Sequence, residues 1–154
     1  LYYEAYGPGG VALYIQARTD NKNRTASNLR TILNNTYGRL ADSGSVAFLF
    51  EKRAVFFTPL SGIANPDDLE LALIDIGASE IETIDQELMV AADYTLFGTI
   101  KHYLEQNNYV LNSCAVQFIP KMTVDLSEEH VAQLQELLQA LDEDDDINEV
   151  ATNN

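Results

Sequence analysis

The pattern of apolar and polar positions predicts strands and helices in alternation along most of the chain. Residues 11–17, VALYIQA, are apolar at every second position, which is typical of a strand with one buried face. Residues 23–38 change to a helical period, and Gly38 is a plausible helix stop. Residues 45–51, SVAFLFE, alternate again, so we expect a β-α-β run. The apolar face of the helix is expected at Ala26, Leu29, Leu33 and Tyr37.

A second set of signals follows between residues 54 and 119. The segment RAVFFTP, residues 53–59, predicts a strand, and Asn65 followed by Pro66 indicates the start of a helix. Asp85 and Gln86 separate two strand-like segments, which predicts a hairpin. Asp93 can cap a second helix, and SCAVQFIP predicts the last strand. The order β-α-β-β-α-β is that of a ferredoxin-like domain.

The C-terminal segment predicts a short strand at residues 121–126, a helix capped by Ser127, and an edge strand within residues 146–154. A lone helix with short strands cannot bury its apolar face, whereas residues 1–53 have strands that need a partner layer. The predicted fold is therefore α+β with two domains. Residues 1–53 plus 120–154 form a discontinuous α+β domain, and a ferredoxin-like domain at 54–119 is inserted in it.

The net charge of −15 taken alone argues against a nucleic-acid partner, but the charge is unevenly distributed. Residues 1–53 hold seven of the nine basic residues against four acidic ones. Residues 54–119 and 120–154 each hold one basic residue against ten acidic ones. A partner with phosphate groups is therefore expected to meet the first third of the chain.

Other classes of function lack the residues they need. Cys114 is the only cysteine and lies among apolar residues, so a buried thiol is expected. His102 and His130 have no partners at metal-ligand or catalytic-triad spacing. We expect no metal site, no cofactor and no enzyme activity. No apolar run is long enough for a membrane helix and no signal pattern opens the chain, so a cytoplasmic location is expected.

The acidic run at residues 142–153 invites a calcium hypothesis, because three aspartates fall at alternate positions. A calcium loop of the EF-hand type needs glycine at its sixth position and glutamate at its twelfth. Those positions hold Ile147 and Asn153, so the calcium hypothesis fails and a solvated linker is expected.

Two motifs bracket the strand at residues 11–17. The GPGG turn, residues 7–10, leads into a strand and not into a helix, so it is a weak candidate for a phosphate-binding loop. A structural turn or a turn that contacts a partner is the favoured interpretation. The segment TDNKNRT, residues 19–25, brings Lys22 and Arg24 to the start of a helix, where an anion could bind. The alternative, a capped turn with solvated charges, stays open.

Three segments, YEAYGPGGVALYIQARTDNKNRT, DSGSVAFLFEK and FIPKMTVDL, closely resemble the YebC family, whose mitochondrial member is the translational activator of cytochrome c oxidase. The resemblance runs from residue 3 to the end and implies a second domain with a ferredoxin-like third domain inserted in it. The family's N-terminal helical domain, which is typically lysine-rich, is expected to be absent from this sequence. The family motif maps onto Tyr6, Gly7, Pro8, Gly9, Gly10, Thr19, Asp20, Asn21, Asn23, Arg24, Thr25, Ser43, Gly44 and Ser45.

The resemblance implies a non-enzymatic regulator of gene expression that binds nucleic acid, as a ribosome-associated translation factor or, in the older view, as a DNA-binding transcriptional regulator. Two departures, a loop TYGRLADSG with few glycines and Ala151 where a tyrosine is common, affect only the exact contacts. A competing hypothesis is a small-molecule sensor, which predicts a ligand-dependent rise in melting temperature. The residues expected to face RNA or DNA are Lys22, Arg24, Arg30, Arg39, Lys52 and Arg53.

Overall fold

The structure is a computed structural model that describes all 154 residues, and the fold is α+β. The chain groups into two compact units, Leu1–Glu51 with Ile119–Asn154, and Lys52–Phe118. The strands are β1 (Tyr2–Tyr6), β2 (Ala12–Ala17), β3 (Arg39–Ala41), β4 (Phe50–Pro59), β5 (Glu80–Ile84), β6 (Glu87–Asp93), β7 (Ser113–Pro120) and β8 (Ile147–Thr152). The helices are α1 (Lys22–Asn35), α2 (Pro66–Ile76), α3 (Phe97–Gln106) and α4 (Glu128–Asp142).

The first unit contains a four-stranded sheet in the order β3-β1-β2-β8, and the neighbouring strands in it are antiparallel. Alternate residues of β2 point to opposite faces, so Leu13 and Ile15 pack together on one face with the helices α1 and α4. Leu29 of α1 and Leu137 of α4 are fully buried there. The helical and strand periods read from the sequence therefore meet in one core.

The second unit has the order β5-β6-β4-β7 in its sheet, which is the ferredoxin-like order for the sequence β-α-β-β-α-β. Its core joins Phe56 and Val90 of the sheet to Leu73 of α2 and Ile100 of α3. The predicted hairpin is present: Asp85 and Gln86 adopt φ of 48° and 67°, which is the backbone of a two-residue hairpin turn.

Three side chains that the sequence predicts as helix caps accept a backbone N–H in the structure. Asn65 accepts a hydrogen bond from the Asp68 N–H at 3.2 Å, and Ser127 accepts one from the His130 N–H at 3.2 Å. Asp93 accepts from the Thr95 N–H at 3.0 Å and caps a 3-10 turn that leads into α3. These caps are local, because each uses a polar side chain two or three residues before the N–H that it accepts.

Two predicted strands are wrong. Residues 47–49 form a 3-10 turn, and β4 begins only at Phe50. The N–H groups of Val46 and Ala47 donate to the carboxylate of Glu4, so they are not available for hydrogen bonds to a neighbouring strand. Residues 121–126 form no strand. Their backbone contact with the end of β8 is one hydrogen bond, from the Val124 N–H to the carbonyl of Asn153.

Candidate nucleic-acid interface

The start of α1 is built by the TDNKNRT motif. The hydroxyl of Thr19 accepts from the Asn21 N–H at 3.0 Å, and the Asn21 side chain accepts from the Arg24 N–H at 3.1 Å. The Tyr3 hydroxyl donates to the carbonyl of Lys22 at 3.2 Å, which ties the first turn of α1 to β1. The motif is therefore a helix N-cap with its own side-chain acceptor.

Arg24 is paired with carboxylates of its own chain. Its Nη2 lies 2.9 Å from Asp20 Oδ1 and 3.2 Å from Asp146 Oδ2. Hydrogen bonds to Asp146 and then to Asp20 raise the pKa of the Arg24 guanidinium. The Thr25 hydroxyl donates to the same Asp146 carboxylate at 3.0 Å. The anion position expected beside Arg24 is thus filled by a side chain of the acidic run.

The basic side chains of α1 are accessible to solvent. Lys22 and Arg30 are exposed and form no ion pair. The helix has no acidic residue along its 14 residues. We call the exposed basic residues of α1, which are Lys22, Arg24 and Arg30, the α1 surface.

The GPGG motif lies at the other end of the sheet. The turn joins β1 to β2, while α1 begins after the far end of β2, so the two motifs are separated by six strand residues, or about 20 Å. Gly9 has a φ of 70°, and a Cβ there would come within 2.7 Å of the His130 Nδ1. The glycine is therefore required both by its backbone angle and by the packing of the turn on α4.

Arg39 lies beside this turn. Arg39 in β3 pairs with Tyr6 in β1, and the guanidinium carbon of Arg39 is 4.7 Å from the centroid of the Tyr6 ring. Arg39 is exposed and forms no ion pair, so its charge is available to a partner. The geometry is that of a cation on an aromatic face.

The loop with Ser43, Gly44 and Ser45 is held by a buried carboxylate. Glu4 in β1 is 7% exposed and accepts from the N–H groups of Gly44 at 2.6 Å, Val46 at 2.8 Å and Ala47 at 2.7 Å. Burial raises the pKa of Glu4, but the three N–H donors lower it by more, so the pKa lies below its usual value of 4.5. The Glu4 side chain therefore stays charged and fixes the loop.

Lys52 and Arg53 belong to the second unit. The Lys52 Nζ lies 4.7 Å from the centroid of the Tyr94 ring, and Arg53 donates to the Ser79 hydroxyl at 2.9 Å. Among the predicted residues, Lys22, Arg24 and Arg30 lie on α1. Arg39 stands at the opposite end of the same sheet.

Sequence reasoning missed three residues that shape these surfaces. Glu4 counted only as a negative charge in the sequence, and Asp146 only as a charge and as part of the rejected calcium loop, although each holds a family-motif segment in place. Tyr37 was expected on the buried face of the helix but is 56% exposed, one residue past the helix C-cap. The one available signal was the position of Glu4 within YEAYGPGG, where an acid interrupts an apolar strand.

No group of three or more His, Cys, Asp or Glu side chains is arranged to hold a metal ion. No helix combines the length and the hydropathy that crossing a bilayer requires.

Comparison with known proteins identifies the family. The model of the family described as "TACO1/YebC second and third domain" matches residues 1–154. The chain belongs to the YebC family. Its YebC relatives include a "Probable transcriptional regulatory protein" of Pseudothermotoga lettingae, 39% identical over 153 residues, and one of Kosmotoga olearia, 40% identical over 151 residues. The alignments cover 99% and 98% of this chain and 60% of each relative, so this YebC chain spans about three fifths of their length.

A solved structure agrees with the YebC assignment. The crystal structure of a conserved hypothetical protein, Aq1575, from Aquifex aeolicus superposes with a TM-score of 0.85 at 30% sequence identity. The match covers 99% of this chain and 63% of that one. The α+β architecture is therefore that of a YebC-like protein.

Proposed function

We propose that this chain is the nucleic-acid-binding part of a non-enzymatic regulator of gene expression, and that it acts in the cytoplasm as a ribosome-associated translation factor. The observation that carries the proposal is the α1 surface. In a protein of net charge −15, α1 has three basic residues and no acidic one, and two of its cations have no carboxylate partner. A local basic surface of this kind attracts phosphate even when the whole molecule is acidic.

Arg39 extends the proposed contact to the other end of the sheet. A backbone that runs along the first unit would meet Lys22 and Arg30 on α1, and Arg39 beside the GPGG turn. Arg24 contributes after its pairs with Asp20 and Asp146 loosen, because both are partly exposed ion pairs that salt and solvent weaken. Lys52 and Arg53 are proposed as contacts of the second unit.

DNA is the second candidate partner, because the relatives from Pseudothermotoga lettingae and Kosmotoga olearia are named probable transcriptional regulatory proteins. Phosphate contacts alone do not distinguish RNA from DNA. Neither partner requires a cofactor or a small-molecule substrate.

The test is co-sedimentation of the protein with purified ribosomes at low and at moderate salt. The double variant Lys22→Ala with Arg30→Ala should lose most of the bound fraction. Lys121→Ala is the matched control, since it removes an exposed cation outside the proposed surface and should bind like the wild type. Equal binding of all three proteins would contradict the proposal.

The nature of the partner is decided by cross-linking the protein to nucleic acid in cells and sequencing what is attached. Ribosomal RNA at a few discrete sites is the expected result. Promoter DNA with ribosomal RNA at background would favour transcriptional regulation.

A further inference from the structure

A surface niche lies where β1, β3 and the GPGG turn meet. It has a volume of about 540 Å³, which is within the range of small-ligand sites. The niche combines two aromatic rings, a cation and three glycines, which leave backbone without side-chain bulk. Its lining is Tyr6, Gly7, Gly10, Tyr37, Gly38 and Arg39.

Tyr37 is the unexpected member of the niche. It follows the C-cap of α1, and its φ of 68° is the left-handed conformation that this position usually gives to glycine. The Gly38 N–H donates to the carbonyl of Leu33 at 2.8 Å, which closes the helix end around Tyr37. The Tyr37 side chain is 56% exposed, so the fold gains little burial from a bulky residue in a strained backbone. Such a residue points to a role in binding.

The positive charge of the niche comes from Arg39. The Gly7 N–H already donates to the carbonyl of Val11 at 2.8 Å, and the Gly10 N–H donates to the carbonyl of Gly7 at 3.1 Å. The N–H groups of Gly7 and Gly10 are therefore not available to an anion. The Arg39 guanidinium forms no ion pair and lies over the Tyr6 ring, which orients it beside the niche.

We propose that this niche binds one unpaired nucleotide of a single-stranded nucleic acid. The base stacks on the exposed ring of Tyr37, and the phosphate is contacted by Arg39. An aromatic ring beside a cation is the arrangement by which proteins hold single strands, because every base has a face to stack. A duplex does not fit, since its bases are already stacked on each other. The inference rests on the proposed function and specifies the form of nucleic acid that the niche receives.

The test measures binding of a fluorescent 12-nucleotide adenine-rich single strand and of a 12-base-pair duplex, each made as RNA and as DNA. Tyr37→Gly should bind the single strand about tenfold more weakly and the duplex as the wild type does. Tyr37→Phe is the matched control, because it keeps the ring and should bind the single strand within about twofold of the wild type. Tyr37→Gly should melt at or above the wild-type temperature, since glycine relieves the left-handed backbone.

Single-strand binding by Tyr37→Gly equal to that of the wild type would overturn the niche. A loss in Tyr37→Phe as large as in Tyr37→Gly would also overturn it, because stacking would not be the cause. The Lys22→Ala with Arg30→Ala variant separates the two proposals. If it loses both single strand and duplex while Tyr37→Gly loses neither, the α1 surface stands and the niche fails. Loss of single-strand binding in Tyr37→Gly, with normal binding in Lys22→Ala with Arg30→Ala, supports the niche and contradicts the α1 surface as the single-strand contact. A wild type that binds no single-stranded probe overturns the niche, whereas the α1 surface is overturned by the co-sedimentation test.

Discussion

At the scale of single residues, the buried carboxylate of Glu4 holds the loop before β4. One buried side chain accepts three backbone N–H groups that would otherwise be left without partners in the loop before β4. Charge-assisted hydrogen bonds are stronger than neutral ones, and the buried setting strengthens them further. The family-motif loop with Ser43 and Ser45 therefore depends on a residue about 40 positions earlier in the chain.

Glu4→Gln should destabilise the protein by about 2 kcal/mol. The amide keeps the shape of the side chain, but its NH2 group meets an N–H where the carboxylate oxygen accepted one. Urea denaturation followed by circular dichroism measures the change. Glu149→Gln, an exposed position in β8, should change the free energy of unfolding by less than about 0.5 kcal/mol. Equal stability of the two variants would show that Glu4 does not hold the loop.

The contribution of Glu4 should also depend on pH. Its pKa in the folded protein is lowered, so its stabilisation is fully present above the unfolded value near 4.5 and is lost as pH falls through the folded pKa. The free energies of unfolding of the wild type and of Glu4→Gln should therefore differ at pH 7 and converge as the pH falls well below 4.5. A difference that stayed constant down to pH 3 would contradict the assignment.

At the scale of secondary-structure elements, Asp146 links the loop before β8 to the first turn of α1. The same carboxylate contacts the guanidinium of Arg24 and the hydroxyl of Thr25. It stabilises the helix start and at the same time neutralises a cation of the α1 surface. The acidic segment after α4 thus opposes phosphate binding at this end of the helix.

Asp146→Asn should strengthen binding of nucleic acid roughly two- to fivefold, because an exposed ion pair of this type is worth at most about 1 kcal/mol and its loss leaves Arg24 with one carboxylate partner, Asp20. Asp145→Asn is the matched control, since it removes the same charge from the neighbouring residue, which forms no ion pair with Arg24. Fluorescence anisotropy with a 12-nucleotide single strand measures both. An equal gain in the two variants would indicate a general charge effect.

At the scale of the whole molecule, the acidic excess and the basic α1 surface have opposite effects on binding. Both units are acidic overall, since each holds more Asp and Glu than Lys and Arg. Affinity for nucleic acid should therefore depend on close contacts between cations and phosphates. Salt at about 0.1 M largely screens charges that are more than about 10 Å apart, so it should weaken the repulsion between phosphates and the distant acidic residues.

The salt dependence of binding should report the number of phosphate contacts. Removing Lys22 and Arg30 should reduce the slope of log K against log salt concentration by about 1.4 for a single strand, at about 0.7 for each contact. Titrations at several salt concentrations measure the slope. Lys121→Ala should leave it unchanged, and an unchanged slope in the double variant would place the phosphate contacts elsewhere.

Local signals explain why much of the fold could be predicted. Asn65, Ser127 and the Asp85–Gln86 turn act on groups within a few residues, so the sequence indicates them directly. The strand wrongly expected at residues 45–51 fails for the opposite reason, because its donors are taken by Glu4 from far away in the chain. The same distance hides the pairing of Arg24 with Asp146.

By itself the sequence determined the periods of the strands and helices, most of the helix caps, the hairpin in the second unit and the concentration of positive charge in the first third of the chain. These properties depend on neighbouring residues or on composition alone. Only the tertiary structure decided which charges are accessible, since Arg24 is paired and Lys22, Arg30 and Arg39 are not. It also brought Tyr6, Tyr37 and Arg39 to one niche, because strand pairing and the end of α1 join residues that are far apart in the chain.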